Sequence, residues 1–226
     1  MKGKLFVIES GTDSSGKATQ TARLYERLKA EGLNVKKVEY PNYKSESSSL
    51  IKMYLRGEFG EKAEDVNYYA ASAFYAVDRY ASYQKEWRSF YEDGGIIIAD
   101  RYTTSNMVHQ ASKIESKSEK IEYVDWLLDF EFKRFELPKP DGVIFLNMPP
   151  QKSMSLMKDR KNKFTGETEK DIHEKDREYL IKTYENALWI ANRYGWINVE
   201  CMQEGQLKSI EEIHEHIYQE IIGRVK

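Results

Sequence analysis

The sequence predicts an α/β fold, a doubly wound parallel sheet of five strands with helices on both faces. Three observations predict it. Leu5-Phe6-Val7-Ile8 and Ile96-Ile97-Ile98-Ala99 are continuous apolar runs, which suit strands covered on both sides. Three more short runs, from Val35, Gly142 and Trp196, alternate with stretches whose apolar residues fall at helical spacing. A loop of small residues, Gly11-Thr12-Asp13-Ser14-Ser15-Gly16, then joins the first run to Lys17 and the first helix. No linker-like shift in composition divides the 226 residues, so 1–226 is expected to be one domain.

Taken in order, the first helix carries Leu24, Tyr25 and Leu28 and should stop near Gly32. Val35 to Tyr40 alternates into Pro41 and reads as the second strand. Leu50, Ile51, Met53, Tyr54 and Leu55 make a short amphipathic helix closed by Gly57 and Gly60. A long helix is expected from about Asp65 to Tyr91, ended by Gly94-Gly95. Ile96 to Ala99 is a continuous apolar run and by composition is expected to be the central strand. Ile121 to Phe135 is helical, Leu137-Pro138-Lys139-Pro140 breaks it, and Gly142 to Leu146 is the fourth strand. Pro149-Pro150 opens a helix to about Asp159. Residues 160–170 are polar and basic, without an apolar period, and are expected to form a mobile lid. Asp171 to Tyr194 is helical, Trp196 to Met202 is the last strand, and Ile210 to Ile222 is a closing helix.

Charge and cysteine content narrow the function classes. Lys and Arg number 35 against 37 Asp and Glu, a net charge of −2, so no overall basic field favours nucleic acid or an anionic membrane. Any phosphate binding must be local. The single cysteine, Cys201, cannot form an internal disulfide, and neither a signal peptide nor an apolar run of membrane length is present. A soluble cytoplasmic protein is expected.

The chemistry starts at the first loop. Backbone N–H groups between Gly11 and Gly16, with the free N-terminus of the next helix, suit a β-phosphate, and Lys17 can reach between β- and γ-phosphates. The residue after this lysine is usually a hydroxyl that ligates Mg²⁺, and here it is Ala18, followed by Thr19. Asp100, at the end of the Ile96 strand, is placed to hold Mg²⁺ directly or through water. The alternative for Asp100 is a helix N-cap. Arg79 and Arg101 lie to either side of the expected crevice, and a guanidinium can bind phosphate through two parallel N–H bonds. Tyr75 and Arg79, four residues apart on one helix, share a face, so a ring could stack on a base while the arginine holds its phosphate.

These residues together resemble the thymidylate kinase family over the whole chain. The resemblance is carried by Asp13 to Gln20, Tyr40-Pro41, Tyr75 to Arg79, Asp100-Arg101-Tyr102 with Ser105, Leu137 to Asp141, and Asp171 with Glu174. It implies a P-loop NTPase-type fold with a flexible lid, transfer of the ATP γ-phosphoryl group to dTMP, Mg²⁺ as cofactor, and a homodimer paired through helices. By position, Gly11, Thr12, Asp13, Ser14, Ser15, Gly16, Lys17, Ala18 and Thr19 would take the ATP phosphates. Asp13, Tyr43, Tyr75, Arg79, Arg101, Ser105, Asn106 and His109 would line the acceptor site, with Tyr75 stacked on thymine. Lys17, Asp100, Arg101 and Arg160 would carry catalysis. Arg160 enters because Ser14 stands where some members have a loop arginine, so the charge must come from the lid, with Lys161 and Lys163 behind it. Other departures are Ser10 at a usually acidic position with Glu9 one residue earlier, Tyr43 and Lys44 near a usual arginine, and His109 at a usually aromatic position beside the sugar. The alternatives are a kinase for another nucleoside monophosphate or nucleoside, and a nucleotide-binding regulator without catalysis.

Overall fold

Five strands form one parallel sheet in the order β2-β3-β1-β4-β5 in the computed structural model, which describes residues 2–157 and 177–225. They are β1 (Lys4–Ser10), β2 (Val35–Glu39), β3 (Ile96–Asp100), β4 (Gly142–Asn147) and β5 (Ile197–Glu200). The central strand is therefore β1, not β3. Every residue of β3 and all but Lys4 of β1 are buried. A continuous apolar run reports cover on both faces, which a strand next to the centre needs as much as the centre itself.

Around the sheet lie α1 (Lys17–Ala30), α2 (Ser49–Leu55), α3 (Tyr68–Ser82), α4 (Arg88–Glu92), α5 (Thr103–His109), α6 (Lys117–Asp129), α7 (Pro150–Met157), α8 (Arg177–Arg193) and α9 (Ile210–Val225). Alternate strand residues feed two cores. Phe6, Ile8, Ile98 and Ile144 pack under Leu24 and Leu28 of α1 and Ile213, Ile217 and Ile221 of α9. Leu5, Val7, Ile97 and Val143 pack on the opposite side with Tyr83, Trp87 and Tyr91. A two-residue side-chain period across a sheet covered on both faces produces this division.

Three departures from the sequence reading are local. The long helix predicted up to Tyr91 is α3 and α4 joined by a π-helical turn, Tyr83–Trp87. The helix predicted from Ile121 starts at Lys117 and ends in a second π turn, Phe130–Arg134. The last parallel strand stops at Glu200, and Met202–Gln203 instead pairs with Gln206–Leu207 in a hairpin, β6 and β7. Glu204 and Gly205 turn that hairpin with φ of 50° and 78°, the positive pair a tight two-residue turn needs. The predicted lid, 160–170, and Asp171 with Glu174 lie outside the described residues. Among the described residues no helix is long and apolar enough to cross a membrane.

The loops that matter leave the carboxyl ends of β1 and β3, which are neighbours in the sheet with Ile8 opposite Asp100. Such an edge, between strands whose connections leave in different directions, is where an open parallel sheet forms a crevice.

Candidate functional site

The loop after β1 is built by two glycines with different duties. Gly16 has a φ of 88°, a left-handed conformation costly for any other residue, and no heavy atom lies within 4 Å of where a Cβ would stand. Gly11 is tight instead: a Cβ there would meet Ala187 Cβ and Tyr184 Cα of α8, both at 3.0 Å. α1 then begins at Lys17, and its first residues give N–H groups that the helix itself leaves unpaired.

Lys17 is buried and turned onto its own loop. Its Nζ donates to Ser10 Oγ at 2.7 Å and to the Thr12 carbonyl at 2.9 Å. Ser15 Oγ also donates to Ser10 Oγ at 2.7 Å. The residue at the usually acidic position is therefore the hydroxyl hub of the loop. Burial, and after it the Arg101 charge, pulls Lys17 down to about 8, while Asp13, Glu9 and Asp100 act in the other direction. Ala18 and Thr19 are exposed on α1.

Arg101 closes the cluster from β3, with a φ of 68° that turns the chain out of the strand. Its guanidinium pairs with Asp13 of the loop, lies 3.5 Å from Glu9 Oε1, and donates to His109 Nε2 at 3.0 Å. An arginine is only a donor, so His109 accepts on Nε2 and carries its proton on Nδ1. Burial acts to lower the Arg101 pKa, but Asp13, Glu9 and Asp100 outweigh it and leave it raised. Glu9 is fully buried and accepts from its neighbour Ser10 N, from Thr104 Oγ1 at 2.9 Å and from Ser105 Oγ. The displaced acid is thus an organiser of the site that its offset position concealed. His109, expected beside a sugar, and Ser105 both lie against Arg101.

Asp100 is buried at the end of β3. It is not a helix cap: α5 starts at Thr103, with Tyr102 at the cap position. Its carboxylate raises the pKa values of both Lys17 and Arg101, so it shares their cluster. Two cations, Lys17 and Arg101, thus face three carboxylates, Glu9, Asp13 and Asp100. Among the described residues no three His, Cys, Asp or Glu gather into an all-protein metal site. The Asp100 carboxylate, at the end of β3 beside a phosphate cradle, fits Mg²⁺, which keeps waters and takes oxygens from a nucleotide. It would not fit an ion that needs a full protein cage.

The opposite wall is α3. Tyr75 is half-buried, its ring edge-on to Tyr54 at 6.5 Å, and Tyr43 packs in the same apolar cluster. Asp78 secures the loop that carries Tyr43, accepting from Asn42 N at 2.8 Å and Ser47 Oγ at 2.6 Å. Asn106 of α5 donates to the Ser72 carbonyl of α3 at 3.2 Å. Arg79 lies on the same helix, one turn after Tyr75. Its side chain is buried against Glu131 of the second π turn, with Nε to Oε2 at 2.7 Å and Nη2 to Oε1 at 2.5 Å. The buried carboxylate takes one edge of the guanidinium. Glu131 was legible in part: it falls four residues after Leu127 and eight after Tyr123, on a core-facing row where a carboxylate demands a cation. Arg160 lies outside the described residues.

Known proteins resemble this chain in sequence and in fold. The family model described as thymidylate kinase matches residues 8–217. A thymidylate kinase of Plasmodium falciparum is 27% identical over 220 residues, covering 97% of this chain and 90% of the relative. A probable thymidylate kinase of Pyrococcus horikoshii is 29% identical over 218 residues, covering 96% of this chain and 95% of that one. A solved thymidylate kinase structure from Candida albicans matches the fold with a TM-score of 0.70 at 22% identity, over 99% of this chain and 92% of that one.

Proposed function

The chain belongs to the thymidylate kinase family, and from that premise we infer that it transfers the γ-phosphoryl group of ATP to the 5′-phosphate of dTMP, giving ADP and dTDP. The observation that carries this reading is the buried cluster joining the loop after β1 to the end of β3, through the Arg101 pair with Asp13 and the Lys17 head of α1. Phosphoryl transfer asks a protein mainly for positioning and positive charge, and this cluster offers both at one sheet edge.

Lys17 exchanges Ser10 and the Thr12 carbonyl for the β- and γ-phosphates. The N–H groups from Gly11 to Thr19 hold the β-phosphate. Asp13 sits between the two nucleotides, steadied by Arg101. On the acceptor side Tyr75 stacks on the base, Arg79 serves the acceptor with the guanidinium edge that Glu131 leaves uncommitted, and Tyr43, Ser105, Asn106 and His109 line the rest. Asp100 would hold Mg²⁺, directly or through water, and the ion would supply positive charge that offsets the charge of the transferring phosphates. With two cations already facing three carboxylates, the charge for the moving phosphoryl group is supplied by the basic lid at about 160–170, Arg160 first.

The chain works as one domain and as a homodimer. Ala70, Ala73, Val77 and Tyr80 line the outer side of α3, where Val77 is 45% and Tyr80 41% exposed. Tyr80 continues through Phe135 and Phe130 to Trp126 as an aromatic row, with ring centroids 5.1, 4.5 and 5.2 Å apart. A second copy of this chain would cover that face, which sedimentation would register as a dimer. Cys201, the one cysteine, is buried and unpaired, which suits a reducing compartment, and we place the protein in the cytoplasm. No observation favours another acceptor or a non-catalytic role. Incubation with ATP, Mg²⁺ and dTMP should release ADP and dTDP in equal amounts; ADP without dTDP would overturn the reading.

A further inference from the structure

Glu131 stands outside the phosphate cluster and is the most completely buried acid on the acceptor side, with no exposed surface. A carboxylate in that setting is unfavourable unless every oxygen is matched, and here both are. Arg79 meets them with one edge of its guanidinium, and Thr103 Oγ1 of α5 donates to Oε2 at 2.6 Å. Arg79 also leans a single Nη1 proton toward the Tyr102 carbonyl at 3.4 Å. Of five N–H donors, one on Nη1 and one on Nη2 remain uncommitted among the described residues, on the edge away from Glu131.

We propose that Glu131 is a positioning residue for the acceptor nucleotide, which fixes the plane of Arg79 and ties α3 to α5. The geometry argues for more than cohesion. α3 carries Tyr75 and Arg79, and α5 carries Ser105, Asn106 and His109, so the two helices bear most of the expected acceptor contacts. α6 and the π turn that follows it clamp them at two levels. Near its middle Tyr123 Oη lies 2.7 Å from Ser72 Oγ of α3 and donates toward the Asn106 carbonyl of α5 at 3.4 Å. Two turns later Glu131 makes the equivalent tie with a charged fork. Apolar side chains would join the helices there without the desolvation cost, but they would leave the guanidinium plane undefined. Glu131 also sits in the π turn Phe130–Arg134, a one-residue widening that re-aims side chains and recurs at functional sites.

The inference rests on the reading of Arg79 as an acceptor contact, and the experiment separates the two. KM for dTMP, KM for ATP, kcat and the unfolding midpoint are measured for Glu131→Gln, Thr103→Val and Arg79→Lys. Glu131→Gln should raise KM for dTMP roughly tenfold or more while KM for ATP and kcat stay within about twofold, and Thr103→Val should move KM for dTMP the same way by a few-fold. A lowered midpoint with both KM values unchanged, or with both raised alike, would make Glu131 a structural residue only and overturn the proposal. If Arg79→Lys leaves KM for dTMP unchanged, the reading of Arg79 has failed and the proposal with it. If Arg79→Lys raises KM for dTMP and Glu131→Gln does not, the proposal alone has failed. Should Glu131→Gln not fold, Thr103→Val decides: an unchanged KM for dTMP overturns the proposal.

Discussion

The ammonium of Lys17 lies 2.7 Å from the hydroxyl of Ser10, inside a loop where both groups are buried. The lysine that should grip a triphosphate is held by its own loop, and its charge is poorly solvated.

A pH dependence of ATP binding follows. Burial, then the charge of Arg101, brings Lys17 down to about 8. Phosphates beside it favour the charged form, so its pKa is higher in the complex than in the free protein. A group of that kind contributes affinity that is fully present below its free pKa and is lost as pH rises above it. The ATP dissociation constant should therefore be flat below about pH 8 and rise above it, with proton uptake near that pH seen as a buffer-dependent binding enthalpy. Affinity that stays constant to about pH 9.5 would contradict this role for Lys17.

The metal prediction turns on Asp100. If it is the main protein anchor, Asp100→Asn should raise the Mg²⁺ concentration for half-maximal rate by about tenfold or more. Thr19→Val should leave that concentration unchanged, because Thr19 is exposed one residue beyond the usual hydroxyl position. Ala18→Ser should keep or improve activity. Full activity in excess chelator would remove the metal from the account.

Gly11→Ala tests how the loop is seated on α8. The new methyl would stand 3.0 Å from Ala187 Cβ and from the Tyr184 backbone, so helix or loop must move. We expect a loss of about 1–3 kcal/mol in urea unfolding, together with a raised KM for ATP. A variant as stable as the parent would mean the loop does not pack where it is described.

Arg160→Ala tests where the transition-state charge comes from. With Ser14 at the loop position, kcat should fall by about 10²-fold or more while KM for dTMP changes little. A change confined to KM would make Arg160 a binding residue.

How much of this was legible in the sequence depended on whether the signal was local. The loop from Gly11 to Lys17 and the strand ending at Asp100 were readable because apolar runs and small residues are written contiguously. The order of the strands was not, since Ile96 to Ala99 and Leu5 to Ile8 are both apolar throughout and only pairing tells which is central. Arg79 was legible without its partner, because Glu131 lies 52 residues away and periodicity cannot name a partner. Glu9 was noticed as a displaced acid, yet its bonds to Thr104 and Ser105 come from α5, about 95 residues away in the chain. The hairpin at Glu204-Gly205 was not legible, because its two strands are two residues each, too short to show an alternation.

The most direct test of the central claim is kcat/KM for a panel of monophosphates, dTMP, dUMP, UMP and dCMP, read by ADP release with saturating ATP and Mg²⁺. dTMP should be phosphorylated most efficiently, by about tenfold or more over UMP and dCMP. Fast turnover of UMP or dCMP with none of dTMP would contradict it.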